Sequence, residues 1–245
     1  MQIVLLCILL STGTEPADSM IFSRGFDRIE YYHNALYAAP LIGKSIFRVY
    51  DSDSLQAFSF TDEVNYRIRD FRLTPFTIYI NRGSMLEKYY ITSGIREAVF
   101  ISSDISSFDL SAAEEIVLAD RKRHELLFLD FTYQVKFKIE NILIEDLRWH
   151  DDLLYVLTKN GVHIYDEYGN LIEKKPTPEI CNRINVVNHK IAVFNEKADY
   201  IYLADAVWVK KEFPYTILDI CESRESLIIL DGNGTIVHVL DRNNF

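Results

Sequence analysis

Apolar and polar residues alternate in short runs along almost the whole chain, and no stretch sustains the i, i+3, i+4 apolar stripe of an amphipathic helix. In "GVHIYDEYGNLIEKK", Gly161 to Lys175, an alternating run ends at Tyr165-Asp166, a turn carrying Gly169 and Asn170 follows, and a second run starts at Leu171. That is the pattern of a β-hairpin. The one competing helix, "SAAEEIVLADRKRHELL", contains "EIVLAD" (115–120), which reads better as a strand, and "DRKRHE" (120–125) reads as the turn after it.

The hairpin is one copy of a repeat. Variants occur at 45–60, 124–139, 199–213 and 235–245, with aspartates at Asp51, Asp130, Asp166, Asp205 and Asp241. The last four are 36, 39 and 36 residues apart, and the first gap of 79 predicts a copy without the aspartate near residue 90, at "LEKYYITS". A second series of apolar runs contains Leu36, Ile78, Ile116, Leu154, Ile191 and Ile228, 37 to 42 residues apart. A third series precedes it: "FDRIEYYH", "YRIRDFRL", "SSFDLSA", "IEDLRWH", "NRINVVN" and "ILDICES". Each unit therefore holds about four short strands within roughly 40 residues, the period of a propeller blade. The expected fold is all-β, a six-bladed β-propeller of four-stranded antiparallel blades. The last copy ends one strand short, so "MIFSR" (20–24) is expected to supply the missing outer strand and close the ring.

This pattern resembles six-bladed propellers of the NHL-like and Tol-type repeat kind, over residues 20–245. Blade 2 lacks the aspartate and blade 5 the glycine turn. The resemblance implies a rigid scaffold, and such scaffolds host both binding modules and enzymes.

Composition narrows the functional classes. The chain has 245 residues, is 49% hydrophobic and carries a formal net charge of −10. A nucleic-acid binder needs a basic face, so no nucleic-acid partner is expected; a protein or peptide partner is. Ile3 to Leu10 is an apolar run too short to span a bilayer. It resembles the core of a secretory signal, although no Lys or Arg precedes it. Residues 1–19 are read as the signal and 20–245 as one domain, secreted or in a periplasm or cell envelope. A cytoplasmic location follows if residues 1–19 are instead a first strand. No later run is long enough to place an integral membrane segment in the mature chain.

Catalytic motifs are imitated rather than met. "HELLF" (124–128) lacks the second histidine of a zinc motif, and a strand would hold its two ends roughly 13 Å apart. "APLIGKS" (39–45) sits between strands, where a phosphate loop would open a helix. "DSDS" (51–54) lacks the glycine and distal glutamate of a calcium loop, and "NGT" (233–235) reads as a hairpin tip. No cofactor is expected. His33, His150 and His189 fall at one point of the repeat, a weak metal candidate. Cys181 and Cys221 lie four positions out of register on inner strands, too far apart to bridge.

The inner strands carry the remaining candidates: Arg67, Arg69, Asp109, Asp146, Arg148, Arg183, Asn185 and Asp219. Residues i and i+2 share a face of a strand. Either these side chains satisfy one another, or Arg69, Asp146, Arg148, Arg183 and Asn185, with the aromatic Trp149, form a ligand site at the channel or rim. The first function considered is a non-catalytic binding or scaffold propeller, its arginines gripping a carboxylate. The alternative is a metal-dependent hydrolase or lactonase at the central channel. Trp208 is the second contact aromatic, with core packing as its competing role.

Overall fold

Every regular element described in the computed structural model is a β-strand. The structure describes residues 8–9, 18–50, 53–60, 66–187, 190–195, 199–204, 207–223 and 225–241. Cys7, Asp51, His189, Asp205 and most of the expected signal lie outside these. Two short strands come first, β1 (Ile8–Leu9) and β2 (Asp18–Ile21). Blade 1 holds β3 (Arg28–Tyr32), β4 (Ala35–Ala39), β5 (Ser45–Val49) and β6 (Leu55–Ser59). Blade 2 holds β7 (Asp70–Leu73), β8 (Thr77–Asn81), β9 (Met85–Tyr90) and β10 (Arg96–Ile101). Blade 3 holds β11 (Ile105–Leu110), β12 (Ile116–Asp120), β13 (Glu125–Leu129) and β14 (Val135–Glu140). Blade 4 holds β15 (Ile144–His150), β16 (Leu153–Thr158), β17 (Gly161–Asp166) and β18 (Leu171–Lys175). Blade 5 holds β19 (Arg183–Val187), β20 (Lys190–Phe194), β21 (Asp199–Ala204) and β22 (Val207–Glu212). Blade 6 holds β23 (Ile217–Glu222), β24 (Ser226–Asp231) and β25 (Ile236–Asp241).

Its fourth strand is β2, which pairs antiparallel with β25 through Ser19↔His238, Met20↔Val237 and Ile21↔Ile236. The expected closure is therefore present, beginning at Asp18 instead of Met20. One further bond, from the Phe22 amide to the Thr235 carbonyl at 2.8 Å, extends it. The fold is a six-bladed β-propeller of four-stranded antiparallel sheets.

Two compact units divide the chain: residues 1–13 with 103–214, and residues 14–102 with 215–245. The first contains blades 3, 4 and 5. Between blades 3 and 4, Val117, Leu126 and Phe128 pack against Leu147, Leu154 and Val156. Between blades 4 and 5, Leu157, Val162 and Ile164 pack against Ile184, Val193 and Trp208. The second unit contains blades 6, 1 and 2, with cores of the same kind around Leu230, Val237, Ile29 and Leu36, and around Ile46, Phe71, Ile78 and Ile80. Within each unit, adjoining sheets hide apolar faces against one another. That is why second strands such as β12 and β20 read as nearly unbroken apolar runs. Outer strands such as β18 are exposed along most of their length.

The aspartate series marks the turn between the third and fourth strands. In blade 4 the Asp166 carboxylate accepts the Tyr168 and Asn170 amides at 3.0 and 2.7 Å. In blade 3 Asp130 accepts the Thr132 and Gln134 amides at 2.8 and 3.1 Å. These bonds hold both carboxyls below their ordinary pKa, the largest contributions being from the Asn170 side chain at Asp166 and the Thr132 hydroxyl at Asp130. The same turn is closed from Tyr50 in blade 1, whose amide bonds to the Ser54 carbonyl, and a turn one residue longer is closed from Tyr90 in blade 2, whose amide bonds to the Ile95 carbonyl. Strand register thus puts Tyr50 in the place of Asp166, one residue before Asp51. It puts Tyr90 where a copy without the aspartate was expected.

Candidate functional site

The six inner strands align through their pairing with the second strand of each blade. Arg28, Asp70, Ser107, Asp146, Arg183 and Asp219 are equivalent, opposite Ala39, Asn81, Ala119, Leu157, Phe194 and Leu230. Two residues on lie Glu30, Arg72, Asp109, Arg148, Asn185 and Cys221. In β11, β15 and β23 the register shifts just before the first of these positions. Such a bulge re-aims the side chains that follow it.

In the first unit, Asp146 is fully buried, at 0% exposure. One carboxylate oxygen accepts the Ser107 hydroxyl at 2.6 Å and the Leu147 amide at 2.9 Å. The other accepts the Ile184 amide at 3.1 Å. A single side chain thereby joins the inner strands of blades 3, 4 and 5. Asp109 does similar work one step along, accepting the Trp149 amide at 2.7 Å. These carboxylates spend their lone pairs on backbone donors that would otherwise be buried without a partner.

Basic and amide side chains lie on the same strands. Arg148, 14% exposed in its side chain, lies 3.6 Å from Asp146 and donates to the Leu147 carbonyl at 3.0 Å. A guanidinium has five N–H groups in a planar fork. Arg183 and Asn185 are half-buried on β19, and the Asn185 carbonyl oxygen accepts the Val186 amide at 3.0 Å, leaving its NH₂ end as a donor. Trp149 is half-buried at the end of β15. Its ring meets Phe128 edge to face at 6.3 Å, and its indole N–H donates to the Asp151 carbonyl at 2.8 Å. Trp208 is core, its indole N–H donating to the Pro176 carbonyl at 2.7 Å.

The second unit uses acids in the same way. Asp219 accepts the Ile29 amide at 3.0 Å across the junction of blades 6 and 1, and its own neighbour's amide, Ile220, at 3.1 Å. Asp70 accepts from Arg72 at 2.9 Å, and Arg72 also faces Glu30 at 3.5 Å. Arg69, expected on the inner strand, stands one residue before β7. Its carbonyl accepts from Arg28 at 2.7 Å, and its guanidinium covers Gly83 so closely that a Cβ there would meet Nε at 2.8 Å. The residues in the lining register are Asp70 and Arg72, which sequence reasoning passed over. Arg67, Arg69, Phe71 and Leu73 share one parity, and without the pairing register the arginines looked aligned with the strand.

A second charged group in this unit was also missed. The Tyr66 hydroxyl donates to the Glu87 carboxylate, and Arg82 and Arg96 stand 3.6 and 3.9 Å from that carboxylate. Arg82 also lies 4.0 Å above the Tyr66 ring. Burial first, then the bond to Glu87, pushes the Tyr66 pKa well up. Tyr66 and Glu87 are both buried, so the group packs blade 2 from within. Its members come from four separate segments, and no short motif announces them.

The other candidates are placed as follows. The His33 ring lies 4.3 Å from that of Tyr32, tilted by 48°, and His150 lies 3.6 Å from Asp151. Among the described residues, no three His, Cys, Asp or Glu side chains gather as a metal site, and no helix is long and apolar enough to cross a membrane. Cys181 and Cys221 are buried thiols that are not joined in a disulfide.

No family model matches the chain, and no curated protein matches it. Solved structures do, at the level of fold. A streptogramin B lyase structure is similar with a TM-score of 0.67 and 10% identity, over 93% of this chain and 88% of that one. A structure of YCF48 bound to D1 peptide is similar with a TM-score of 0.66 and 10% identity, over 95% and 97% of the two chains. The virginiamycin B lyase of Staphylococcus aureus is similar with a TM-score of 0.62 and 11% identity, over 84% and 76%. At these identities the likeness is one of fold: this chain shares the β-propeller architecture with lyases and with a peptide-bound protein alike.

Proposed function

We propose that this chain is a non-catalytic binding propeller that takes a carboxylate-bearing small molecule or peptide on the inner strands of blades 4 and 5. The observation that carries this reading is the division of labour on those strands. Asp109 and Asp146 are committed to the amides of Trp149, Leu147 and Ile184, while Arg183 and Asn185 offer N–H groups at half-buried positions and Arg148 stands paired with Asp146 beside them. A surface rich in donors and poor in free acceptors suits a ligand that accepts, and a planar guanidinium suits a carboxylate best. The fold is compatible with a peptide ligand, as the peptide-bound neighbour illustrates for itself. Export, suggested by the apolar run Ile3–Leu10, is part of the same proposal. We place the end of any leader before Asp18, because a cut after Ser19 would remove two of the four residues through which β2 pairs with β25.

The test is a calorimetric screen of small carboxylates and of peptides with free C-terminal carboxylates. Binding is expected to weaken at least tenfold in Arg183→Ala, with an unfolding temperature close to that of the parent. Ligands that bind this variant as tightly as the parent refute this site. Elemental analysis of the purified protein addresses the hydrolase alternative: one Ca²⁺ or Zn²⁺ per chain, lost with Asn185→Ala, would favour it over the binding reading.

A further inference from the structure

Blade 5 differs from the other blades in how its outer edge is covered. Among the described residues, β6, β10, β14 and β18 each pair with one neighbour only. The outer strand β22 of blade 5 has a second partner, the parallel strand β1, in the register Ile8↔Val209 and Leu9↔Lys210. A parallel strand separated by about two hundred residues gains little from its own connection. What holds it is the row of unpaired N–H and C=O groups that any sheet edge presents. The edge also suits an uncharged guest. Lys210 is neutralised by Glu179 at 3.0 Å and Glu212 at 3.5 Å, and Val207 is exposed beside it. The strand that sits there comes from "IVLLCILL", residues 3–10, which contains no charge and no proline.

We propose that the outer edge of blade 5 is a strand-acceptor site for an extended aliphatic peptide, held in cis by Ile8–Leu9 and opened when that pairing is lost. Backbone ladder bonds to β22 supply the affinity, and the alternation of the guest's side chains supplies the selectivity. The site is separate from the inner strands, so its fate is independent of the function proposed above. If export removes the N-terminal run, the same step that releases the mature chain exposes the acceptor.

The test uses the full chain with Ile8→Pro and Leu9→Pro, which block the ladder of β1. The probe is a synthetic peptide of Gln2–Ser11, with serine at the position of Cys7 and a lysine tail for solubility. Amide hydrogen exchange over residues 207–212 is the readout. The variant is expected to exchange about five- to tenfold faster there than the parent, the loss of one net hydrogen bond. Saturating peptide is expected to restore the parent rate, while a peptide of alternating Ser and Ile in its place leaves exchange fast. Unchanged exchange in the variant overturns the cis contact. Failure of the aliphatic peptide to restore protection overturns the acceptor site, and equal protection by the Ser-Ile peptide overturns its selectivity.

Discussion

Replacing Asp146 by alanine tests whether the inner-strand acids are structural staples. The carboxylate accepts hydrogen bonds from the Ser107 hydroxyl and from the Leu147 and Ile184 amides, at a wholly buried position. Ser107 can rotate its hydroxyl to another acceptor. The two amides cannot move without breaking strands, and each buried donor left unsatisfied costs about 1–3 kcal/mol. Loss of the anion beside Arg148 adds to this, because the guanidinium is only 14% exposed. Together the cost is about 3–5 kcal/mol. For a chain of this size that corresponds to a fall in unfolding temperature on the order of 10 °C. Asp146→Asn keeps one acceptor oxygen and can turn it toward Ile184, so it should lose about half as much. Ser107→Ala removes one of these bonds and should cost about 1 kcal/mol. Calorimetric unfolding of the three variants checks the ranking. If Asp146→Ala folds and loses less than about 1 kcal/mol, the staple is not what holds blades 3, 4 and 5 together, and the acid returns to the list of ligand-binding groups.

Other consequences are open to measurement. Burial holds the pKa values of His238 and His163 below the ordinary 6.5, against a weaker upward pull on His238 from Asp231. The unfolded chain then takes up these protons first, so stability is complete above about pH 7 and falls as pH drops through 6.5. Urea midpoints at pH 7.5 and 5.5 should differ, and the difference should shrink in a His163→Gln, His238→Gln double variant. Gly161 has φ +132°, and a Cβ there would stand 2.3 Å from the Lys175 carbonyl oxygen, so Gly161→Ala should cost about 2–4 kcal/mol. Gly94 also has a positive φ, but its space is open to 4.0 Å, and Gly94→Ala should cost only about 1 kcal/mol. In a Cys7→Ser chain, a thiol reagent should label neither Cys181 nor Cys221 in the native state, and both in denaturant.

Much of the architecture was legible because it is written redundantly. Three series with one period forecast six units, and the missing last strand forecast the pairing of β2 with β25. A burial rule repeated in every blade tolerates substitution at any one site. Tyr50 and Tyr90 take the turn position that Asp130 and Asp166 fill elsewhere, and Tyr133 adopts the left-handed φ of +64° that Gly169 supplies in blade 4. The motif therefore drifts by a residue while the turn persists, which is why the aspartate count misplaced blade 1 by one.

The site was less legible, for a physical reason that Asp70 and Arg69 display. Whether a charged residue on an inner strand faces its neighbours across the blade junction depends on a one-residue bulge, and a bulge has no fixed sequence signature. The more basic ambiguity lies in chemistry. An aspartate that caps the amide of the next blade and one that grips a ligand are the same residue at the same period, and composition cannot separate them. Asp146, Asp109 and Asp219 are resolved only by what they touch: the amides of Ile184, Trp149 and Ile29, each on the following blade. Packing blades around apolar faces leaves the amides of their inner strands in need of acceptors, and short acids answer that need without filling space. The polar residues that drew notice as candidate chemistry thus include the fasteners of the fold. In the proposed reading, the groups left for binding are those whose hydrogen-bonding capacity exceeds what the neighbouring strand can use, and on blade 5 these are the donors of Arg183 and Asn185.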